Sequence, residues 1–137
     1  MKTLIVTPTY NEAANISELV SRIFDLTVTE LELLIVHDNS PDGTADQAEE
    51  LGTDYPGRIH VIRRPEREGL GPAYVAGFQR ALDLGARRII QMDADLSHPP
   101  EYIPEFLSQL EYNDVVVGSR YVHGGKTDGR WSHRRRL

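Results

Sequence analysis

Short apolar runs alternate along the chain with stretches in which apolar residues recur every three or four positions. Residues 4–6 form the first run. The next apolar residues fall at the i, i+3, i+4 spacing of an amphipathic helix, and they are Ile16, Leu19, Val20, Ile23 and Phe24. The alternation continues, with glycine and proline at several boundaries. It predicts strands at residues 4–6, 31–36, 59–62, 88–92 and 114–117, and helices at residues 16–24, 45–51, 72–84 and 100–110.

This order of elements predicts an α/β fold. Strands that alternate with helices are joined by right-handed crossovers, which gives a mainly parallel sheet with helices on both faces. Ligands of such folds bind beyond the carboxyl ends of the strands. We therefore expect the functional residues in the polar and glycine-rich segments that follow the apolar runs, at residues 8–12, 38–40, 63–71, 93–95 and 118–120.

The composition is that of one ordinary globular domain, and it narrows the chemistry. Of the 137 residues, 39% are hydrophobic and 26% are charged, and none is cysteine. Any metal must therefore be held by oxygen or imidazole, and the lack of cysteine suits a reducing compartment. No apolar run has the length of a signal peptide or a membrane span, so we expect neither.

Charge is unevenly distributed. Residues 1–125 carry 10 Lys and Arg against 20 Asp and Glu, whereas residues 126–137 carry 5 against 1. Nucleic acid is a poor partner for this acidic body, which has no basic stripe interleaved with aromatic residues. The basic tail is either a solvated chain end or a segment attracted to anionic lipid or phosphate, and charge alone favours the first.

Asp93 and Asp95 are candidates for metal chemistry. They follow the strand predicted at residues 88–92, where a turn can aim both carboxylates at one hard cation. Mg²⁺ or Mn²⁺ held in this way keeps positions for substrate phosphates. As an isolated motif, however, Asp-x-Asp at a strand end is more often turn and capping chemistry. The neighbouring His98 is either a site residue or a turn residue.

Other polar residues after the strands also have two interpretations. Asp38 could accept hydrogen bonds from a ribose or base, or open an Asx turn. Glu12 could bind a nucleotide, or support the dipole of the helix that follows. Arg120 and the pair Arg63 and Arg64 could bind phosphate through paired hydrogen bonds, or be solvated.

Five motifs occur in order along the chain. They are Pro-Thr-Tyr-Asn-Glu at residues 8–12, Asp-Asn-Ser-Pro-Asp-Gly-Thr at 38–44, Gly-Leu-Gly-Pro-Ala-Tyr at 69–74, Met-Asp-Ala-Asp-Leu-Ser-His-Pro at 92–99 and Gly-Ser-Arg-Tyr at 118–121. Together they resemble the family-2 inverting glycosyltransferases, and within them the dolichol-phosphate and polyprenol-phosphate mannose synthases. Five ordered motifs are far more specific than any one of them. The resemblance implies a Rossmann-like, nucleotide-sugar-binding fold of the GT-A type.

The resemblance also implies roles for the matching residues. The nucleoside of GDP-mannose would be surrounded by Pro8, Tyr10, Glu12, Val36 and Asp38. The metal, Mg²⁺ or Mn²⁺, and the diphosphate would be held by Asp93, Ala94 and Asp95. Arg120 would contact phosphate, and Asp95 and Arg120 would be the catalytic residues.

Two positions depart from the pattern of relatives. His37 stands where many relatives have a second acid, although the binding acid, Asp38, is present. Ser97 stands where many prokaryotic relatives have glutamine, and it is the candidate for a third metal ligand.

The implied reaction transfers mannose from GDP-mannose to a polyprenyl (dolichyl) phosphate, with inversion and with a divalent metal. Because relatives are longer, we interpret residues 1–125 as an incomplete catalytic domain and residues 126–137 as the start of a basic interfacial segment. The protein would then lie in the cytoplasm, peripheral to the membrane. The alternatives are another donor such as UDP-glucose, a nucleotide-binding fragment without turnover, and a phosphatase with Asp93 as nucleophile. The last is disfavoured because the acid pair follows the fourth strand instead of the first.

Overall fold

The computed structural model describes residues 1–126. The chain divides into two compact units, Met1–Glu101 and Tyr102–Leu137. The first unit contains β1 (Thr3–Thr9), α1 (Ile16–Phe24), β2 (Leu31–Asp38), α2 (Thr44–Leu51), β3 (Ile59–Arg64), α3 (Leu70–Asp83) and β4 (Arg88–Gln91). A 3₁₀ turn at Pro100–Tyr102 leads into α4 (Ile103–Gln109).

The four strands form one parallel sheet in the order β3-β2-β1-β4. Thr3 of β1 pairs with Leu31 on one side and with Arg88 on the other, and Leu33 of β2 pairs with Ile59 of β3. All four strands therefore run in one direction, and their carboxyl ends lie at one edge. This confirms the predicted α/β fold.

The two central strands are buried on both faces. On one face Leu4, Val6, Leu34 and Val36 join Ala73, Tyr74 and Ala81 of α3 in a single core cluster. The intervening residues Ile5, Leu33 and Ile35 point to the opposite face and are also fully buried. A strand covered on both faces needs apolar residues at every position, which explains why β1 and β2 appear in the sequence as continuous apolar runs.

Helix α1 has the bounds that the apolar spacing predicts. Its fully buried residues, Ile16, Leu19, Val20 and Ile23, lie on one face. Helix α3 begins two residues earlier than predicted, at Leu70, because Gly69 adopts φ 100° and lets the chain turn directly into the helix. The observed helix also ends at Asp83, ahead of Gly85 with φ 82°.

Gly77 allows α3 to pack closely on the sheet. A Cβ atom at this position would lie 2.3 Å from Val6 Cγ1 and 3.0 Å from Val36 Cγ2. Both side chains belong to the buried core, so neither can move into solvent. The distance between α3 and the central strands is therefore limited to what a glycine permits.

The predicted fifth strand at residues 114–117 is wrong. These residues form no strand, and Val115 and Val117 are 77% and 81% exposed. A run of valines favours β structure only where a neighbouring strand pairs with its backbone and one face is buried. Within residues 1–126 this run has neither.

Two further expectations concern membranes and the chain end. Within residues 1–126 no helix is both long and apolar enough to cross a membrane, and the longest, α3, has 14 residues. The basic segment predicted at residues 126–137 lies outside the described residues, apart from Lys126. The division at residue 125 stays a prediction.

Replacing Gly77 with alanine should lower the free energy of unfolding by about 1–3 kcal/mol, because the added methyl group overlaps two core valines. Gly71 provides a matched control in the same helix, since a Cβ atom there meets nothing within 4 Å. Gly71→Ala should leave stability unchanged or raise it by up to about 1 kcal/mol. Denaturant unfolding of both variants measures the difference, and equal stabilities would contradict the packing argument.

Candidate functional site

Backbone strain occurs where the chain leaves the strands. Asn11, Asn39 and Leu96 adopt positive φ values of 55°, 30° and 64°, and they follow β1, β2 and β4 respectively. Asparagine tolerates this conformation, but for an aliphatic residue such as Leu96 it costs about 1 kcal/mol or more. Leu96 lies between Asp95 and Ser97, so the unfavourable conformation occurs within the predicted metal-binding segment.

The two carboxylates after β4 are held by specific hydrogen bonds. The Tyr74 hydroxyl donates to Asp93 Oδ1 at 2.8 Å, and the backbone N–H of Asp93 donates to His98 Nδ1 at 3.1 Å. The backbone N–H of Ser97 donates to Asp95 Oδ1 at 3.0 Å. The second oxygen of Asp93, Oδ2, lies 3.9 Å from His98 Nε2. Each carboxylate thus has one oxygen engaged within the chain.

The surroundings of Asp95 and Tyr74 determine whether these side chains are ionised. Burial opposes ionisation of Asp95, but hydrogen bonds from Ser97 and the nearby His98 outweigh it and lower the pKa of the Asp95 carboxyl. Burial, and then the hydrogen bond to Asp93, raise the pKa of Tyr74 far above its ordinary value. Asp95 is therefore an anion at neutral pH, and the Tyr74 phenol keeps its proton and acts as the donor.

The acid pair suits a cation that a substrate helps to hold. Within residues 1–126 there is no group of three or more His, Asp or Glu side chains that could bind a metal by itself. Mg²⁺ usually binds through only one or two carboxylates and completes its shell with water and substrate phosphates. Asp93 and Asp95 fit that kind of site, and they do not fit one built from protein ligands alone.

Asp38 ends β2 as a buried carboxylate. It is 6% exposed, and its Oδ1 lies 3.4 Å from Nη1 of Arg64, which also pairs with Glu68. Neither Asp38 Oδ1 nor Arg64 Nη1 makes a hydrogen bond within residues 1–126. Leaving buried polar atoms without hydrogen bonds is costly. The attraction between these two opposite charges, 3.4 Å apart, offsets part of this cost.

The two arginines that end β3 are engaged by carboxylates of the chain itself. Hydrogen bonds from Arg63 to Glu49, and then to Asp46, raise its pKa above the ordinary value. Arg64 pairs with Asp38 and Glu68, as described above. Neither arginine is therefore freely solvated, which was the alternative to phosphate binding. A cavity of about 200 Å³ lies between them and the loop after β2, lined in part by His37, Asn39, Ser40, Arg63 and Arg64.

His37 joins two strand ends through both of its ring nitrogens. The backbone N–H of Ser40 donates to Nε2 at 3.2 Å, so the ring proton is on Nδ1, which lies 3.0 Å from Thr9 Oγ1. Thr9 and His37 are direct partners in the pairing of β1 with β2. Burial lowers the pKa of His37, although the charge of Asp42 acts in the opposite direction. No motif in the sequence predicts a role for this histidine.

Asp42 and Thr44 connect the loops after β1 and β2. Asp42 Oδ2 accepts from the backbone N–H of Ala13 at 3.0 Å, and its Oδ1 accepts from the Thr44 N–H and hydroxyl. The Thr44 hydroxyl oxygen accepts from the Glu12 N–H at 3.1 Å. These hydrogen bonds outweigh the effect of burial and lower the pKa of the Asp42 carboxyl. The loops after β1 and β2 are therefore connected to each other by hydrogen bonds.

The other residues that are predicted to contact the nucleoside differ in their exposure and in their contacts within the chain. The Tyr10 ring lies 4.1 Å below the guanidinium carbon of Arg67, and Pro8 is partly exposed. Glu12 Oε2 accepts from Asn15 Nδ2 at 2.9 Å, just before α1 begins at Ile16. The Val36 side chain is fully buried in the core. Val36 is therefore covered by the protein and exposes no surface to a ligand in this structure.

Two other predicted residues need separate description. Ala94 is 2% exposed, main chain included, so it presents little surface to a ligand. Arg120 lies in the second unit, next to Ser119, whose hydroxyl oxygen accepts from the Tyr121 N–H. The binding and catalytic roles of all these residues stay predictions.

Comparison with known proteins places the chain in a family. The model for glycosyl transferase family 2 matches residues 4–137. The chain is 42% identical to a polyprenol monophosphomannose synthase of Mycolicibacterium smegmatis, over 98% of this chain and 50% of the relative. It is also 42% identical to a dolichol-phosphate mannosyltransferase of Pyrococcus furiosus, over 100% of this chain and 38% of the relative. The chain belongs to glycosyl transferase family 2.

Solved structures agree on the fold. A mannosyltransferase from Pyrobaculum calidifontis, in complex with GDP-Man and Mn²⁺, matches 87% of this chain and 36% of its own with a TM-score of 0.69 at 23% identity. Glucosyl-3-phosphoglycerate synthase from Mycobacterium tuberculosis, with Mn²⁺ and UDP, matches 82% and 40% with a TM-score of 0.60 at 24% identity. These structures confirm the GT-A type of fold. The chain spans 50% or less of the length of each of these four proteins.

The His37 contacts predict a loss of stability in mild acid. Because the folded state lowers the pKa of His37, the unfolded chain binds its proton first, near pH 6.5. Above that pH the neutral His37 ring makes its full contribution to the free energy of unfolding. Below it this contribution declines, by up to about 1.4 kcal/mol per pH unit. The stability difference between wild type and His37→Gln should therefore narrow from pH 7 to pH 5. His123→Gln, in an exposed position, controls for loss of an imidazole, and a constant wild-type advantage over His37→Gln would contradict the assignment.

Proposed function

We propose that the chain is the nucleotide-sugar-binding part of an enzyme that transfers mannose from GDP-mannose to a polyprenyl phosphate. The observation that carries this proposal is the position of Asp38, Asp93 and Asp95 after parallel strands whose carboxyl ends share one edge. The relatives named as polyprenol-phosphate and dolichol-phosphate mannosyltransferases support the choice of sugar and acceptor.

In this proposal the nucleoside lies at the ends of β1 and β2. Asp38 accepts hydrogen bonds from the nucleoside at the carboxyl end of β2. Tyr10 and Glu12 border the same site from the loop after β1, Pro8 lies near the end of β1, and the buried Val36 lies near the end of β2. The hydrogen bonds of Asp42 and Thr44 keep both loops in place before the ligand arrives, which reduces the ordering cost of binding.

The diphosphate lies at the end of β4. Asp93, Ala94 and Asp95 would hold Mg²⁺ or Mn²⁺ together with the phosphates, with Ser97 as a further candidate ligand. The bound cation neutralises the diphosphate leaving group. Arg120 adds a phosphate contact. The acceptor phosphate is already an anion near neutral pH, so its attack with inversion at the sugar carbon needs no strong general base.

The chain end provides the proposed contact with the membrane surface. Residues 126–137 combine five basic residues with Trp131, a residue type that is favourable at membrane interfaces. We assign this segment to a peripheral interaction with the cytoplasmic face of the membrane, next to the lipid acceptor. It would form the start of an interfacial element in a longer protein.

A UDP-sugar is the second candidate donor, since the similar fold of glucosyl-3-phosphoglycerate synthase was solved with UDP and Mn²⁺. Calorimetric titration with GDP, GDP-mannose and UDP, each with and without Mn²⁺, separates the two. The proposal requires tighter binding of the guanine nucleotides and a gain in affinity from Mn²⁺. Preference for UDP would overturn the choice of donor.

Asp95→Asn should abolish most of the gain that Mn²⁺ gives to GDP binding, because the amide removes the charge from one of the two carboxylates. The same change should alter the free energy of unfolding by less than about 1 kcal/mol, since Asp95 lies at the surface. Asp54→Asn, an exposed position after α2, is the control. If Asp95→Asn retained the full Mn²⁺ effect, Asp95 would not belong to the metal site.

Asp38→Ala should weaken GDP and GDP-mannose equally, by about 1.5–3 kcal/mol, because both lose a hydrogen bond to a charged group. The loss should be the same with and without Mn²⁺, which distinguishes the nucleoside site from the metal site. Thermal unfolding measured in parallel tests the alternative role of Asp38. A lower melting temperature with unchanged nucleotide affinity would show that Asp38 acts only in the fold.

A further inference from the structure

Tyr74 is in contact with the acid pair, although neither its motif nor the proposed reaction gives it a role. It belongs to α3, in the segment Gly-Leu-Gly-Pro-Ala-Tyr at residues 69–74. Its ring lies in the core cluster under β1 and β2 and is 5% exposed. Its hydroxyl leaves the core at the end of β4, where it donates to Asp93 Oδ1.

We propose that Tyr74 is a positioning residue, whose hydroxyl orients the Asp93 carboxylate so that Oδ2 is presented to the divalent cation. This inference rests on the proposed function, in which Asp93 binds the metal. The inference concerns the conformation of the Asp93 side chain before the cation binds. Outer partners of this kind commonly orient carboxylate and imidazole ligands and increase metal affinity.

The Tyr74 hydroxyl is itself well fixed. Phe78, one helical turn further along α3, stacks against the Tyr74 ring with centroids 5.8 Å apart and an interplanar angle of 29°. On the same helix Gly77 lies against Val6 and Val36, which sets the depth of α3 on the sheet. A buried ring on a closely packed helix can move little, so its hydroxyl defines a fixed point.

Asp93 needs such a fixed point. Its side chain is 39% exposed, and its second oxygen, Oδ2, lies 3.9 Å from Nε2 of His98. A carboxylate on a loop can rotate about its side-chain torsions, and binding a cation then costs the entropy of ordering it. The Tyr74 hydrogen bond engages Oδ1 and thereby leaves Oδ2 as the outer oxygen.

Tyr74→Phe tests the proposal because it removes the hydroxyl and keeps the buried ring. Mn²⁺ binding in the presence of GDP, followed through the electron paramagnetic resonance signal of free Mn²⁺, should weaken about tenfold. GDP affinity without metal and the melting temperature in metal-free buffer should stay close to wild type. Tyr55→Phe, which removes the hydroxyl of a tyrosine packed against Phe24, should change none of these values.

A second hydroxyl-free variant and a double-mutant cycle complete the test. Tyr74→Met, which keeps the position apolar, should show the same Mn²⁺ deficit. In an Asp93→Asn background, Tyr74→Phe should have no further effect on Mn²⁺ binding, because Tyr74 acts through Asp93. Equal deficits in both backgrounds would overturn the proposal.

The outcomes separate this inference from the proposed function. If wild type bound GDP without any gain from Mn²⁺, the proposed metal site would itself be wrong. If wild type showed the gain and both Tyr74 variants kept it in full, the function would stand and the role of Tyr74 would be refuted.

Discussion

The parallel pairing of β1 with strands on both of its sides is the constraint on which the rest of the structure depends. β1 is buried from Thr3 to Thr7 and pairs with β2 and β4 in one direction. This arrangement brings together three loops that are far apart in the sequence. The hydrogen bonds between the segments that end β1 and β2, such as Thr9 with His37 and Thr44 with Glu12, form because these strand ends are already adjacent. The candidate site is therefore a consequence of sheet order.

Most of the fold could be predicted from local patterns, since helix and strand periodicities are properties of neighbouring residues. Helix α1 was predicted with its observed bounds, and the first four strands were found at their positions. The fifth strand was not, because a strand depends on a distant partner that a run of valines does not specify. The ends of α3 depended on the conformations of Gly69 and Gly85, which single residues can indicate only approximately.

The positions of the candidate acids could be predicted from the sequence, whereas the contacts of these acids could be predicted less well. Acids that follow apolar runs indicate where Asp38 and Asp93 must lie, and the ordered motifs indicate the family. The partners of these acids, Arg64 and Tyr74, come from other elements, so no spacing in the sequence identifies them. One signal was available for Tyr74: a buried tyrosine usually needs a partner for its hydroxyl.

Gly77 connects the packing of the core with the contact between Tyr74 and Asp93. The missing side chain lets α3 lie close to Val6 and Val36, and the same helix carries Tyr74 to Asp93. The depth of the core and the orientation of Asp93, the proposed metal ligand, thus depend on the same helix. Substitutions in the core and at the site will not be independent of each other during evolution. A change that repacks Val6 or Val36 alters the constraint on α3, and divergence of the core in this family should be accompanied by compensating changes at the acid pair.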